Sequence, residues 1–550
     1  MSGIVLTTIN AKWTHPSLAL RLLKANLGSL ETQCEIMEFA LRQPLCEKTA
    51  PLLAAHPRIL GVSVSIWNHL ATIELLEALE KEWKKREERP IVVLGGPEIS
   101  YLPNDADIFM YADYVIRGEG ETVFSALCEN ILQNENKMIG GYTQSSDGDI
   151  WLDRPYGHAK ACVNSCQPSG ASRGLRTPTK ELISKLQDNL AEIKTGYHLY
   201  TDEDIAQKLI YVEASRGCPF ECEFCLSAIK HGEYNSAIES EERGGAVMLK
   251  GSMVKTREHN SAVKQEERRS DVREFPLEQF LEDVNILVNR GVRTIKFLDR
   301  TFNANTKRAV KICEFFLGKL EERERAGGAP FMVHFEMVPS LFPRELCEIL
   351  ARFPPDSLRL EIGVQTLNTE VSARIHRPGW RNQSINPEKE LETIRFLRKN
   401  TNAIIHVDLI AGLPGEDLQS FGLGFDRLWG AVREERKEKK SKLEIQVGIL
   451  KRLPGAPISR HNEIFGMRYN CKPPYEIEEN LAISEWDLRR VKNFAVFWER
   501  LVNRGLLTIK GELIFEKFMA LSDSLFAHFG KNWGIDKAEL INVVQLRSFS

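Results

Sequence analysis

What is missing from this 550-residue sequence removes several classes of function at once. No apolar run approaches the roughly 20 residues that a membrane-crossing helix needs, so no membrane span is expected. The opening residues, MSGIVLTTINAKWTH, lack the basic stretch and short apolar core of a secretory leader. Neither sign of charge is in excess: 73 Lys and Arg stand against 76 Asp and Glu, a net charge of −3. Such a balance offers no field to draw in a polyanion, so nucleic acid is not an expected partner. The cysteines number 11, an odd count with no leader before them, which points to a reducing cytoplasm and not to a disulfide framework.

Three of those cysteines, Cys218, Cys222 and Cys225, share one short stretch, SRGCPFECEFCLSAI, and no fourth stands nearby. The spacing C-x3-C-x2-C lets three thiolates close on one face of a small metal cluster. Iron–sulfur cubanes normally take four cysteines, so three leave one iron open to a ligand. Structural metal sites are closed, whereas reactive ones keep a position free. A closed Cys3His zinc site with His231 as fourth ligand is the competing reading, although zinc sites usually pair C-x2-C knuckles with a second ligand pair.

The stretch, with the aromatic Phe224 ahead of its last cysteine, resembles the radical S-adenosylmethionine (SAM) superfamily. The resemblance implies a [4Fe–4S] cluster whose open iron chelates the amino and carboxylate groups of SAM. It also implies SAM cleavage to a 5′-deoxyadenosyl radical that removes a hydrogen atom from an unactivated position. Phe224 would then lie against the adenine, and a flavodoxin- or ferredoxin-like protein would supply electrons.

Composition, with 43% hydrophobic and 27% charged residues, describes a globular chain, and its length predicts two or three domains. The first, residues 1–155, reads as α/β. Short apolar runs at Ile4–Thr7, Ile59–Ser65, Ile91–Leu94 and Tyr114–Ile116 suit buried parallel strands. Helical patterns at Ser17–Leu27 and Ala71–Lys85 separate some of them. The runs end in small or turn-forming residues, where an open α/β sheet binds its ligands. NAKWTHPSLAL, GVSVSIWN, VVLGGPEISY and VIRGEGE resemble the Rossmann-like cobalamin-binding domain that precedes many radical SAM domains. The resemblance implies corrin contacts at Ser63, Ser65 and Trp67, at Gly95, Gly96, Pro97 and Glu98, and at Gly118, Glu119 and Gly120. The Asp-x-His-x-x-Gly signature that gives a histidine to cobalt is absent; His15 lies near its place without the aspartate or the glycine. Cobalamin without a protein histidine ligand is expected, and a degenerate domain that binds no corrin is the alternative.

Residues 156–207 read as a linker, rich in Pro, Gly and Ser at Gln167–Pro178 and helical near Lys180–Ile193. Cys162 and Cys166 within it read as ordinary thiols. From 208 to 455 strands and helices alternate, which implies a partial parallel (β/α)6 barrel with the cysteine loop after its first strand, Leu209–Ser215. A charged excursion at 233–273 is too poor in apolar residues to fold alone. The strands are unusual in having a polar face. Arg359, Glu361 and Gln365 alternate with Leu358, Leu360, Ile362 and Val364; His406 and Asp408 alternate with Ile405, Val407 and Leu409. His334 and Glu336 share a side, as do Glu444 and Gln446. Unpaired, such groups are costly to bury, so a polar ligand in the lumen is expected, with His334, Glu336, His406 and Glu444 as candidates to touch a substrate. Helices are expected at Leu277–Asn289, Thr306–Glu324, Pro343–Arg352, Glu388–Asn400 and Asp417–Arg433.

The superfamily resemblance further implies SAM contacts along these strands. KFLDRTFN stands where a glycine–glycine–glutamate element holds the SAM amino group, which assigns Asp299 to that role. Glu361 and Gln365 in EIGVQT would reach the ribose. Gly412, Leu413 and Gly415 in DLIAGLPGE would lie along the adenine, with Glu416 structural. Residues 456–550 read as a helical domain, with Leu488, Val491, Phe494, Ala495, Trp498 and Leu501 on one core-facing stripe. NCKPPYEI resembles the start of a carboxyl-terminal domain of unknown function found in one subgroup.

The leading expectation is thus a cobalamin-dependent radical SAM enzyme that methylates an unactivated carbon of a small-molecule or peptide substrate. A radical rearrangement or oxidation without methyl transfer is one alternative. A non-catalytic iron–sulfur and corrin sensor is the other. The tRNA methylthiolating branch shares the cysteine spacing, but no basic, strand-rich carboxyl-terminal domain accompanies it.

Overall fold

The computed structural model describes residues 3–86, 88–133, 150–152, 180–184, 189–228, 272–377, 385–432, 442–509, 511 and 513–546. Cys162, Cys166, His231, the linker's Gln167–Pro178 and nearly all of the 233–273 excursion lie outside them.

The first sheet holds seven strands: β1 (Ile4–Asn10), β2 (Cys34–Ala40), β3 (Ile59–Ser63), β4 (Ile91–Gly95), β5 (Tyr114–Arg117), β6 (Ile150–Leu152) and β7 (Lys180–Ile183). Their order is β2-β1-β3-β4-β5-β7-β6, parallel throughout except for β6. β1 is buried along its whole length, as a strand covered on both faces must be. Its two buried threonines are satisfied: Thr7 donates to the Met37 carbonyl (2.7 Å) and Thr8 to that of Ser63 (2.8 Å). The expected helices stand at Leu18–Ala25 and His69–Arg86.

One expectation is overturned here. Lys180–Ile183 is a strand, not the start of a helix, and it extends the first sheet into the stretch read as linker. The reason is a tertiary contact: Arg117, fully buried on β5, pairs with Glu181 at 2.6 Å. That pairing fixes KELI beside β5, and among the described residues up to Ile193 a short 3-10 turn, Leu190–Glu192, follows.

The second sheet runs β8 (Ile210–Val212), β11 (Thr294–Phe297), β12 (Met332–Met337), β13 (Leu358–Gln365), β14 (Ile404–Ala411) and β15 (Leu443–Ile449), all parallel in that order. Between β8 and β11 lies a small antiparallel pair, β9 (Ser215–Arg216) with β10 (Arg273–Glu274). The barrel helices are Leu277–Asn289, Thr306–Arg325, Arg344–Leu350, Pro387–Asn400 and Leu418–Val432. Alternation along β13 is strict: Leu358, Leu360, Ile362 and Val364 are buried against the helices, and the intervening residues face inward half-covered.

β8 and β15 do not pair, so the barrel is partial, and different ends of the chain cover its two free edges. On the β8 side the Leu209 N–H donates to the Thr14 carbonyl (3.0 Å). On the β15 side Asn503 imitates a neighbouring strand. Its Oδ1 accepts from the Ile445 N–H (3.1 Å) and its Nδ2 donates to the Ile445 carbonyl (3.0 Å).

The carboxyl-terminal part adds a short antiparallel pair, β16 (Arg468–Tyr469) with β17 (Ile477–Glu479), and helices Glu485–Trp498, Phe515–Phe529 and Lys537–Leu546. Leu488, Val491, Phe494, Trp498 and Leu501 are buried as the stripe predicts, and Ala495 partly so. They share one core with the barrel: Phe425, from a barrel helix, meets Phe494 and Trp498 edge-on at 5.1 and 4.9 Å.

Candidate active site

The cysteine loop leaves the carboxyl end of β8 by way of β9. Gly217 has φ +97, a conformation that favours glycine, and it turns the chain into Cys218. The strand end is held by Asp299, just past β11, whose carboxylate accepts from the Ala214 N–H (2.9 Å) and the Ser215 hydroxyl (2.5 Å). Burial lifts the Asp299 pKa to about 7 against the pull of those two bonds. Asp299, the residue assigned to the SAM amino group, accepts one bond at each oxygen from the base of the cysteine loop.

All three thiols are half-buried. Cys218 Sγ lies 3.3 Å from the Thr301 hydroxyl, and the Cys225 N–H donates to the Cys222 carbonyl (2.9 Å). Burial raises the Cys222 thiol to about 11, with Arg377 beside it working the other way. Buried thiols of this kind become thiolates when a metal supplies the compensating charge. Among the described residues no three His, Cys, Asp or Glu side chains converge on a single-ion position. A cubane does not ask for that, because its own irons and sulfides fill the space between the thiolates. The residues present therefore fit a cluster.

Phe224 borders a cavity of about 540 Å³ that is also lined by Ile410, Val447, Leu450, Lys492 and Val496. Cysteine loop, barrel edge and carboxyl-terminal helix thus share one hollow. The glycine turn expected along the adenine is closely packed against its neighbours. A Cβ on Gly412 (φ +89) would lie 2.6 Å from the Ile477 side chain, and one on Gly415 would meet Arg374. Leu413 is fully buried, and Glu416 accepts from the Thr366 hydroxyl (2.6 Å), a structural role as expected.

Within the lumen the polar side chains pair with one another. Glu361 takes Lys296 Nζ at 3.0 Å and His334 Nε2 at 3.0 Å, and Glu336 stands 3.3 Å from the same lysine. His406 lies between Glu444 (3.2 Å), Asp408 (3.4 Å) and the Gln446 amide oxygen (3.0 Å), while Arg359 donates to Glu444 at 2.5 Å. Burial opposes charge on His406, but the carboxylates of Asp408 and Glu444 prevail and raise its pKa to about 9. Burial wins at His334, which falls to about 4 despite Glu361. Burial also works against the Glu361 carboxylate, yet its bonds from His334 and Lys296 prevail and hold it well below the usual carboxylate range. The polarity of this face is therefore largely self-satisfied and does not by itself demand a ligand. Gln365 ends β13 in the left-handed region (φ +70), beside a register shift against β14.

The corrin candidates gather at the carboxyl ends of β3, β4 and β5. Trp67 is exposed, Ser63, Gly95 and Gly96 are half-covered, and Pro97 and Gly118 are open. Gly96 (φ +108) has no room for a side chain, since a Cβ would lie 2.5 Å from the Val64 carbonyl oxygen. Ser65 is buried, with its N–H on Asn68 Oδ1 (2.8 Å). Two of the set face inward: Glu98 is buried and accepts from the Tyr475 hydroxyl at 2.7 Å and His69 at 2.9 Å. Glu119 pairs with Arg273 (2.5 Å) and Arg216 (3.2 Å), and Arg216 also reaches Glu121 next to Gly120 (2.6 Å). The RGEGE loop is thus bound to the base of the cysteine loop. His15 Nδ1 sits 2.5 Å from the Tyr211 hydroxyl of β8.

Sequence reasoning passed over Glu223, Arg216, Arg273 and Arg377, all of which contact or flank the cysteine loop. In the sequence Glu223 is a charged spacer between two cysteines. Its 2% exposure follows only from folding.

Comparison with known proteins agrees with this geometry. The B12 binding domain family model matches residues 4–128, and the Radical SAM superfamily model matches residues 212–422. A 2-(S-pantetheinyl)-carbapenam-3-carboxylate methyltransferase of Streptantibioticus cattleyicolor is 22% identical over 420 residues, 76% of this chain and 50% of the relative. An uncharacterized methyltransferase of Pyrococcus horikoshii is 26% identical over 235 residues, 42% of this chain and 37% of the relative. The chain thus spans half or less of either relative. Among solved structures, the radical SAM methyltransferase TsrM of Kitasatospora setae, with cobalamin and a [4Fe–4S] cluster bound, superposes with a TM-score of 0.53. It is 15% identical, over 86% of this chain and 78% of its own. OxsB, a cobalamin-dependent SAM radical enzyme with aqua-cobalamin bound, gives a TM-score of 0.51 at 13% identity, over 96% and 67%. At such identities the likeness shows the fold. A radical SAM domain implies SAM and a [4Fe–4S] cluster, and a B12 binding domain implies cobalamin. The chain thus carries both a B12 binding domain and a Radical SAM superfamily domain, in the fold that TsrM and OxsB share.

Proposed function

We propose that this chain is a cobalamin-dependent radical SAM methyltransferase acting on an unactivated carbon of a small-molecule or peptide substrate. One arrangement supports the reading above all. The three-cysteine loop lies at the carboxyl end of the barrel strands, and Arg216 and Arg273 at its base are ion-paired to Glu119 on the corrin-side loop. When bound, the cluster and SAM supply one-electron chemistry and cobalamin supplies a transferable methyl group. Cys218, Cys222 and Cys225 hold the cluster in this reading. Phe224 and Ile410 receive the adenosyl group in the cavity they border, and Glu361 and Gln365 of β13 reach for the ribose. Asp299 acts through Ala214 and Ser215, keeping the loop's base in place. The barrel helices and the helix Glu485–Trp498 exclude water. The names of two similar proteins, both methyltransferases, favour methyl transfer over rearrangement. An external one-electron donor completes the scheme.

The test is anaerobic reconstitution followed by iron, sulfide and corrin analysis, then incubation with SAM and a reductant. Cubane stoichiometry, a corrin spectrum and release of both S-adenosylhomocysteine and 5′-deoxyadenosine are expected, and Cys222→Ala loses the iron. Formation of 5′-deoxyadenosine with neither S-adenosylhomocysteine nor a methylated product rejects methyl transfer. Zinc in place of iron rejects the whole reading.

A further inference from the structure

Glu223, between Cys222 and Phe224, is a carboxylate at 2% exposure whose partners come from two distant parts of the chain. Its Oε2 lies 2.7 Å from His461 Nε2 and its Oε1 lies 3.2 Å from His376 Nδ1; the Arg460 guanidinium also donates to Oε1. The main chain repeats the connection. The Glu223 N–H donates to the Ile375 carbonyl (3.1 Å), and the Ile458 N–H donates to the Glu223 carbonyl (3.0 Å). Arg460 also bonds His376 at 3.1 Å, so the partners brace one another. Residues 375–376 follow the helix Thr369–Arg374 on the barrel; residues 458–461 open the carboxyl-terminal part.

We propose that Glu223 is a positioning residue for the cluster and that residues 458–461 form part of the cluster site. The inference rests on the reading of the three cysteines as cluster ligands. Cys222 precedes Glu223 and Cys225 follows it by two, so freedom at this residue becomes error in two of three thiol positions. A buried carboxylate without partners is costly, and here a guanidinium and two imidazoles answer it. The carboxyl-terminal part thus does more than cover the barrel edge: it sets the pose of the metal-binding loop.

The test compares wild type, Glu223→Ala, Glu223→Gln and the double variant Arg460→Met/His461→Asn. Each is reconstituted anaerobically and challenged with an iron chelator, and amide hydrogen exchange is read on the metal-free proteins. Loss of the groups that orient metal ligands weakens metal holding by roughly tenfold to a hundredfold. Glu223→Ala and the double variant are expected to release iron faster by that order, with an altered cluster spectrum, while Glu223→Gln recovers part of the loss. In the metal-free proteins, exchange is expected to quicken at the Glu223 and Ile458 amides and to stay unchanged in the first sheet. Iron release and exchange equal to wild type in Glu223→Ala overturn the proposal, as does acceleration spread evenly over the whole chain. Wild-type protein that takes up no iron refutes the cluster reading, while the exchange measurement still decides whether the loop is clamped.

Discussion

His406 shows how one side chain can carry a pH signature that composition does not reveal. Its pKa of about 9 lies above the ordinary histidine value, so the charged form belongs to the folded state. Its contribution is complete below about pH 6.5 and is lost as pH rises through about 9. His406→Asn is therefore expected to cost about 2 kcal/mol at pH 6, with the gap to wild type closing above pH 9. Urea unfolding across that range measures it, and a pH-independent gap would contradict the assignment. Alternation along the strands was legible and brought His406, Asp408 and Glu444 to one face. Their mutual satisfaction was not, because it depends on register between β14 and β15, where His406 pairs with Glu444 and Asp408 with Gln446. The partners of Asp299 were hidden for the same reason. A motif position says which residue stands at a strand end, while the carboxylate's partners, Ala214 and Ser215, come from the chain that follows β8.

Among the elements, β15 is an edge strand whose polar backbone must be met by something. Asn503 meets it. Asn503→Ala removes both bonds to Ile445 and a third to Glu499, and leaves the buried Ile445 N–H unpaired, an expected loss of about 1–3 kcal/mol. Thermal and denaturant melts check the figure, and faster amide exchange at Ile445 should accompany it. Strands with both faces covered, such as β1, and those with strict alternation, such as β13, were readable from sequence. Lys180–Ile183 was not, since four residues carry too little periodicity to outweigh the helical pattern downstream. Arg117, which makes a strand of them, lies more than sixty residues earlier.

For the whole molecule, the succession of corrin-type sheet, barrel and helical end was legible, because each part carries its own period and motif. Their interdependence was not. The carboxyl-terminal helices and the barrel share one core through Phe425, Phe494, Trp498, Phe515 and Phe518. A chain ended at residue 455 would expose the Phe425 face and strip Asn503 from β15. It is expected to be insoluble or to lack a cooperative melt, and a well-behaved 1–455 fragment would show that the two parts are independent.

Arg216 and Arg273 grip the first domain from either flank of the cysteine loop, through Glu119 and Glu121. Together with the Glu98–Tyr475 bond, these ion pairs bolt the first domain to the rest of the chain. Lengthening the chain between residues 152 and 180 is expected to leave these pairs untouched, whereas Glu119→Lys removes the Arg273–Glu119 pair and leaves Arg216 with Glu121 and Glu213. Variation in the length of the join is thereby expected to leave the contact between the RGEGE loop and the base of the cysteine loop in place.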